Sequence, residues 1–500
     1  MTADESSSAD KHEADPGELV IGFVAPVGTD FDKVLKAVQR CLVAYGYQSE
    51  GYRLSDLFAS DEIRHLIKPI NAEDECLRIE GAMDAGDDLR RHTGVNEIMA
   101  FYAAARIQQV RKLKGGSSEP LPRTAHLLRS LKRPEEVAWL RKIYGSRFLL
   151  VSIFAPRDHR INFLGSSRGG AIDAARAMAL IQRDGAGGAH GQATTRSFEL
   201  GDLFLNGALG SQRLEIEIAR FLDLVFGSPL HTPRREEHGM FLAFAASLRS
   251  GDLSRQVGAV IVADDGTLVA EGANDAPRFG GGQYWPNDDE DQRDIVVGRD
   301  SNEDKKREIV RRILAEFDAL EPGVDPLKLA KRRLEDSGLL DITEFGRAVH
   351  AEMAALMNCA RLGVPTKDRA LFCTTFPCHN CAKHIVAAGI SEVWFIEPYP
   401  KSQAANLYHD SITLEGKAGK LEFKPFVGIG PRRYVELFAL RDAFGVKISR
   451  KDDSGSLVEW CPGDAMLVLP DRLITYLDQE VWASAQMSHV IERARGSTRA

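Results

Sequence analysis

The stretch TTFPCHNCAKHIVAAGI, residues 374–390, sets two cysteines three positions apart where a strand-like run gives way to helix-like spacing. Pro377 suits the first turn of a helix, which places Cys378 and Cys381 at i and i+3 on one face, with their thiols at the positive end of the helix. Thiolates are favoured there, and thiolates bind zinc. A closed structural site needs four ligands, and the sequence offers no second Cys-x-x-Cys to complete one. The nearest complement is VHAEMAAL, which sets His350 beside Glu352 at the start of another predicted helix. With His350 the set numbers three, and a three-ligand zinc keeps a position open for water, the mark of a catalytic site. Two thiolates cancel the charge of the ion, so its water is acidified less than by neutral histidines, and a nearby base must take the proton. Glu352 fits that role as a general acid and base that is not itself a ligand. A buried structural pair or a redox pair is the plainer account of the two cysteines, and the His-x-Glu upstream tells against it. His379 and His384 read as surface or packing residues, and Cys359 and Cys373 as small members of the core.

Several elements must hold these side chains. The segment around Cys378 reads as strand (ALFCTTF), helix and strand (EVWFIEP), a crossover that requires a parallel pair. Upstream, GMFLAFAASL reads as a helix, and QVGAVIVADDGTLVAEGAN as a hairpin turned at Asp265-Gly266. Between Gly280 and about Glu344 lies a polar, charge-dense stretch that reads as an insertion with two helices. Nearer the N-terminus, ELVIGFVAPVG followed by helical spacing from Phe31 opens a βαβ unit, and RFLLVSIFAP and SFELGDLFLN add strands. The expected organisation is an acidic, disordered leader at 1–17, a parallel α/β domain at 18–229, a second domain at 230–445 and a helical extension at 446–500.

The glycine turn of the first domain, GFVAPVGTD, has the place of a phosphate-binding loop without its chemistry. Five residues separate Gly22 from Gly28, and Thr29 and Asp30 stand where lysine and a hydroxyl belong. Asp30 repels phosphate, so a degenerate nucleotide-binding turn (Gly22, Gly28, Thr29) and a regulatory or structural role are expected rather than phosphoryl transfer.

Composition narrows the classes further. At 500 residues two or three domains are expected. A net charge of -8 does not favour long nucleic acid. No apolar run reaches membrane-spanning length. Seven cysteines, five of them scattered singly, suit a reducing cytoplasm.

His-x-Glu followed by Pro-Cys-x-x-Cys is the signature of zinc deaminases acting on nucleobases. With SRQVGAVIV, GANDAP, HAEMAAL and PCHNCAKHIVAAGI in order, residues 238 to about 400 resemble the deoxycytidylate branch of the cytidine deaminase superfamily. The whole arrangement, with GGGQYW after the Asn-Asp-x-Pro turn, resembles the bacterial anti-phage dCTP deaminases over about 20 to 440. That resemblance implies a P-loop kinase-like sheet domain ahead of a three-layer α/β/α deaminase domain. It implies Zn2+ on His350, Cys378 and Cys381, Glu352 as proton shuttle, and Asn274 as a sugar contact. It implies free deoxycytidine nucleotides as substrates, whose deamination starves a phage of dCTP, and a homo-oligomer formed through the deaminase domain. Arg255 and Arg278 are the basic residues nearest in sequence to the expected pocket and are candidates for phosphate; Tyr284 and Trp285 are candidates to stack on the base or to pack. The rival readings are a deaminase of cytosine or adenine in RNA or single-stranded DNA, and a nucleotide sensor whose deaminase is a relic.

Overall fold

The computed structural model describes residues 17–497 apart from 117–118, 167–169, 186–189, 322, 334–339, 341–343, 400–401, 415, 417–418, 441–447, 453–454 and 466–475. The expected leader therefore lies outside the described residues except for Gly17. Two compact units result: Arg234–Phe426, and a first unit made of the chain up to Pro233 together with everything from Val427 onward.

The first unit is built on a parallel sheet of β1 (Leu19–Val24), β2 (Gln48–Arg53), β3 (Thr124–Arg129), β4 (Phe148–Phe154) and β5 (Leu203–Asn206), in the order β2-β3-β1-β4-β5. β1 is buried along its whole length, as a near-continuous apolar run must be when both faces of a parallel sheet are covered. The helix Phe31–Val43 lays Phe31, Val34, Val38 and Leu42 on the core, and Asp30 caps it by accepting the Lys33 N–H at 3.3 Å.

The glycine turn departs from the expected one. Gly22 lies inside β1, where a Cβ would come within 2.8 Å of the Phe148 ring, so it is a packing glycine and not part of a loop. The turn runs through Gly28, at φ +85, and the Val27 and Thr29 donors on either side of it are already engaged. Thr29 gives both its N–H (3.2 Å) and its hydroxyl (2.7 Å) to the Pro26 carbonyl. The Val27 N–H goes to Asp184 at 2.9 Å, a buried carboxylate that Lys132 also binds at 2.8 Å. A carboxylate thus sits where a cradle would offer its amides to phosphate.

In the second unit, β6 (Gly258–Val262) and β7 (Leu268–Ala273) form the expected hairpin, with Gly266 at φ +85 in its loop. β8 (Ala370–Thr375), β9 (Glu392–Glu397), β10 (Ile412–Thr413) and β11 (Leu421–Pro425) complete a sheet of order β10-β11-β9-β8-β6-β7. β8 and β9 are parallel, as the crossover required, whereas β6 runs antiparallel to both its neighbours. Helices cover both faces. A Cβ on Gly258 would lie 2.4 Å from the Ser247 nitrogen of the helix Arg235–Ser247, and one on Gly272 would lie 2.5 Å from the Ala355 nitrogen of the helix Ala351–Leu362. Gly272 pairs with Ala259, which points to the face opposite Gly258, so the two helices sandwich the sheet. Absent side chains let both come close. The insertion holds the helices Asp294–Val297, Ser301–Glu316 and Pro326–Arg333, with a small core of Val310, Leu314, Leu329 and Ala330.

The second unit ends at Phe426, not at 445, and the C-terminal stretch is no free extension. Beyond Phe426 the chain adds β12 (Gly428–Ile429) antiparallel to β5, and the helix Tyr476–Ser497 packs along the helix Ile98–Gly115. The reason is an unusual buried group: Arg111, 0% exposed, donates to Glu18 at 2.8 and 2.9 Å and to Glu480 at 2.8 Å. Trp482 stacks on Trp139 with centroids 5.1 Å apart beside it.

These two carboxylates titrate in opposite directions. Burial alone raises Glu18, but hydrogen bonds from His126 and Arg111 outweigh it and hold the group at about 2. Burial pushes Glu480 up to about 7, since Arg111 only partly offsets it. The neutral form of Glu480 is thus favoured by folding: its contribution is complete below the ordinary value of 4.5 and disappears as pH rises through about 7. The contribution of Glu18 is present above 4.5 and disappears as pH falls through about 2. The unfolding midpoint is therefore expected to fall between pH 5 and 7.5, with a slope of at most roughly 1.4 kcal/mol per pH unit from Glu480. Glu480→Gln should flatten that slope in calorimetry at a series of pH values. An unchanged slope would mean that Glu480 ionises as an ordinary surface acid.

Candidate active site

His350 and Cys378 occupy N-cap positions of two helices, His350 ahead of Ala351–Leu362 and Cys378 ahead of His379–Ala387. Cys378 thus stands one residue before the helix rather than within its first turn, because its Sγ accepts the Cys381 N–H at 3.4 Å and so acts as the cap. Pro377 lies just outside. The arrangement turns the thiols of Cys378 and Cys381 toward the His350 ring, with Nδ1 to Sγ distances of 3.4 and 3.3 Å. Among the described residues this is the one group of three metal-ligating side chains whose atoms all converge, within 4.8 Å of one another. In a tetrahedral zinc site, bond lengths near 2.0 and 2.3 Å separate N from S by about 3.6 Å, so the donor set fits zinc. Hydrogen bonds from Cys381 and His350 pull the Cys378 thiol down to about 4, whereas the bond to Cys378, with burial, pushes the Cys381 thiol up. The His350 imidazole is raised to about 9, chiefly by its bond to Cys378.

Glu352, 4% exposed, sits in the first turn of the helix that His350 caps, and burial raises its carboxyl above the usual range. His350, Glu352 and Cys378 share the wall of a cavity of about 190 Å³ with Asn274, Arg255 and Tyr399. Asn274 holds the adjoining segment in place, accepting the Val257 N–H at 2.7 Å and donating to the Arg255 carbonyl at 2.8 Å. One N–H and one lone pair of its amide remain for a ligand. The Arg255 guanidinium binds Thr375 at 3.1 Å and pairs with Glu397. Cys359 and Cys373 lie in the core as expected, and His379 and His384 stay out of the metal-ligating group.

Three expected contacts are elsewhere. Arg278, Tyr284 and Trp285 do not line this cavity. Gly280, Gly281 and Gly282 all have positive φ, folding the chain back so that the Arg278 N–H reaches the Gly282 carbonyl at 3.0 Å. The result faces the outer flank of the helix Ala351–Leu362: Arg278 pairs with Asp288 at 2.7 Å, Trp285 lies 4.0 Å under the Arg249 guanidinium, and both line a separate cavity with Met357 and Arg361. In exchange, the insertion supplies the wall residues Asp294, Asp300 and Asn302, and the segment just after it supplies Arg347. Asp300 caps the helix Ser301–Glu316, and Arg347 lies 3.5 Å from Asp294. Only Arg347 left a trace in the sequence, as a basic residue three positions before His350.

With this geometry in view, the comparisons fall into place. Residues 233–397 match the family described as the cytidine and deoxycytidylate deaminase zinc-binding region, so the second unit carries a domain of that deaminase family. The chain is 29% identical over 203 residues to the deoxycytidylate deaminase of Mus musculus, covering 41% of this chain and 81% of that protein. It is 42% identical over 65 residues to ComE operon protein 2 of Bacillus subtilis (strain 168), 13% of this chain, and so spans only 34% of that relative's length. The dCMP deaminase from the cyanophage S-TIM5 in complex with dCMP and dUMP is similar over 39% of this chain and 99% of that chain, at 21% identity and a TM-score of 0.23. Among the described residues no helix is long and apolar enough to cross a membrane.

Proposed function

We propose that the second unit hydrolyses the exocyclic amine of free deoxycytidine nucleotides, dCTP or dCMP, giving deoxyuridine nucleotides and ammonia. The observation that carries this reading is the convergence of His350, Cys378 and Cys381, the first two on the wall of one small cavity together with a buried Glu352. His350, Cys378 and Cys381 would hold a zinc ion, which would supply an acidified water. Glu352 is placed to hold the protons that water gives up, the first for the pyrimidine ring nitrogen and the second for the departing amine, so that the carbon–nitrogen bond breaks as the carbonyl forms. Asn274 offers its remaining amide positions to the sugar.

The deoxycytidylate deaminases to which the chain is similar bear a free nucleotide in their name, and the anti-phage resemblance extends the proposal to depletion of dCTP during infection. On this reading the first unit has a P-loop kinase-like ancestry and regulates or supports the enzyme, in a reducing cytoplasm, without transferring phosphate. Incubating the purified protein with dCTP, dCMP, CTP and a cytosine-containing oligonucleotide, and following ammonia release, tests the substrate class. Conversion confined to the oligonucleotide would replace this reading by the polynucleotide one.

Phosphate recognition falls to Arg255 and Arg347, the arginines on the cavity wall. Arg255→Ala or Arg347→Ala is expected to raise KM for dCTP roughly tenfold or more while leaving deoxycytidine nearly unaffected, as loss of a charge-assisted bond to phosphate requires. Equal losses on nucleoside and nucleotide in both variants would mean that phosphate is held elsewhere.

A further inference from the structure

The first unit contains a second cavity, of about 230 Å³, far from any zinc ligand in sequence and lined wholly by its own residues. It lies at the carboxyl ends of three adjacent strands: Arg53 closes β2, Arg129 closes β3, and Val27 follows β1. Open parallel sheets place their ligands in this crevice. Its walls are of two kinds. One is apolar, with Leu54, Phe58, Ile79, Met83 and Met99. The other carries polar atoms that are buried without a hydrogen-bond partner among the described residues: Ser130 Oγ, Glu136 Oε1 and Gln192 Oε1. Glu136 is 1% exposed; its other oxygen caps the helix Pro134–Tyr144 by accepting the Lys132 and Arg133 N–H groups at 2.7 and 3.1 Å, and Arg90 stands 3.8 Å from the free one. Buried polar atoms in native proteins are paired as a rule, so Ser130 Oγ and Gln192 Oε1, with Glu136 Oε1 held only by its ion pair to Arg90, call for a partner that completes them.

The cations add the rest. Arg53, Arg78 and Arg129 line the same cavity and are all open to solvent in part. Arg78 pairs with Glu75 and Arg129 with Asp32, whereas Arg53 has no paired carboxylate among the described residues. Burial lowers the Arg129 guanidinium, with Asp32 opposing the shift and Arg53 and Arg78 adding to it in smaller part. Arginine clusters of this kind recognise phosphate.

We propose that the first unit binds a nucleoside 5′-phosphate in this cavity, the base lying against Phe58 and Met83 with its polar edge on Ser130, Glu136 and Gln192, and the phosphate on Arg53, Arg78 and Arg129. An apolar wall facing clustered acceptors suits a flat heterocycle, and the arginines suit its charged end. The glycine turn, whose donors serve Asp184 and Pro26, plays no part. The site stands whether or not the deaminase reading holds, because its test compares first-unit substitutions on one common background.

The experiment is calorimetric titration of the full-length Glu352→Gln protein, chosen to prevent turnover, with dAMP, dGMP, TMP, dCMP and inorganic phosphate. At least one nucleotide is expected to bind with an affinity that Arg53→Ala and Arg78→Ala each weaken roughly tenfold, while the parent nucleoside is unaffected by them. Gln192→Leu should weaken nucleotide and nucleoside alike. Arg53 is exposed at a strand end, so its variant tests the idea even if Gln192→Leu disturbs folding. Three results would overturn the proposal: no nucleotide binding that responds to these variants, equal losses for nucleotide and nucleoside in both arginine variants, or inorganic phosphate binding as tightly as every nucleotide.

Discussion

Glu352→Ala is expected to keep about one zinc per chain and to lose roughly 10²–10⁴-fold in turnover, the range of a positioned general acid and base. The expectation rests on placement. Glu352 lies in the first turn of the helix that His350 caps, buried, on the wall of the cavity that His350 and Cys378 also line. It is not among the converging ligand atoms, so removing it leaves the donors intact. Elemental analysis alongside steady-state kinetics separates the two effects. A variant that loses zinc as well as activity would make Glu352 a ligand and remove the proton shuttle from the mechanism.

Cys378→Ala and Cys381→Ala should each abolish both metal and activity, since a site with two remaining ligands cannot hold catalytic zinc against dilution. Cys378 has a second task as helix cap, and its loss to alanine costs about 1 kcal/mol of local stability in addition. Cys378→Ser separates the two roles: the hydroxyl can still accept the Cys381 N–H, yet is a poor zinc ligand. Both variants are therefore expected to be metal-free while their thermal midpoints diverge, the serine form being the more stable. An active preparation free of zinc in either variant would sink the metal assignment.

The ligands were legible because their chemistry is local. A cap position, an i+3 neighbour and a His-x-Glu at a helix start are short-range patterns, and the folded chain only brings them together. β1 and β4 were legible for a similar reason, since buried parallel strands are near-continuous apolar runs. β2 was not. Its sequence, QSEGYR, belongs to an edge strand paired only with β3, and polar edge strands carry little hydrophobic signal. The cavity wall beyond the ligands was hidden for another reason. Arg347 and Asp300 reach it only because an irregular insertion folds back, and no periodicity encodes that return. Trp285 shows the opposite failure: sequence proximity to Asn274 suggested the pocket, and three glycines with positive φ turned the chain to the other flank.

The return of the chain to its first unit orders the events of synthesis. Glu480 leaves the ribosome 369 residues after Arg111, an interval of roughly 20–70 s at ordinary elongation rates. Throughout it, Arg111 has Glu18 alone, and the outer edge of β5 waits without β12. The second unit is one uninterrupted segment, complete as soon as Phe426 emerges. The second unit can thus be complete while the nascent first unit still exposes a bare strand edge, the kind of surface on which other chains pair. Stops or frameshifts late in the message consequently damage the first unit and spare the second.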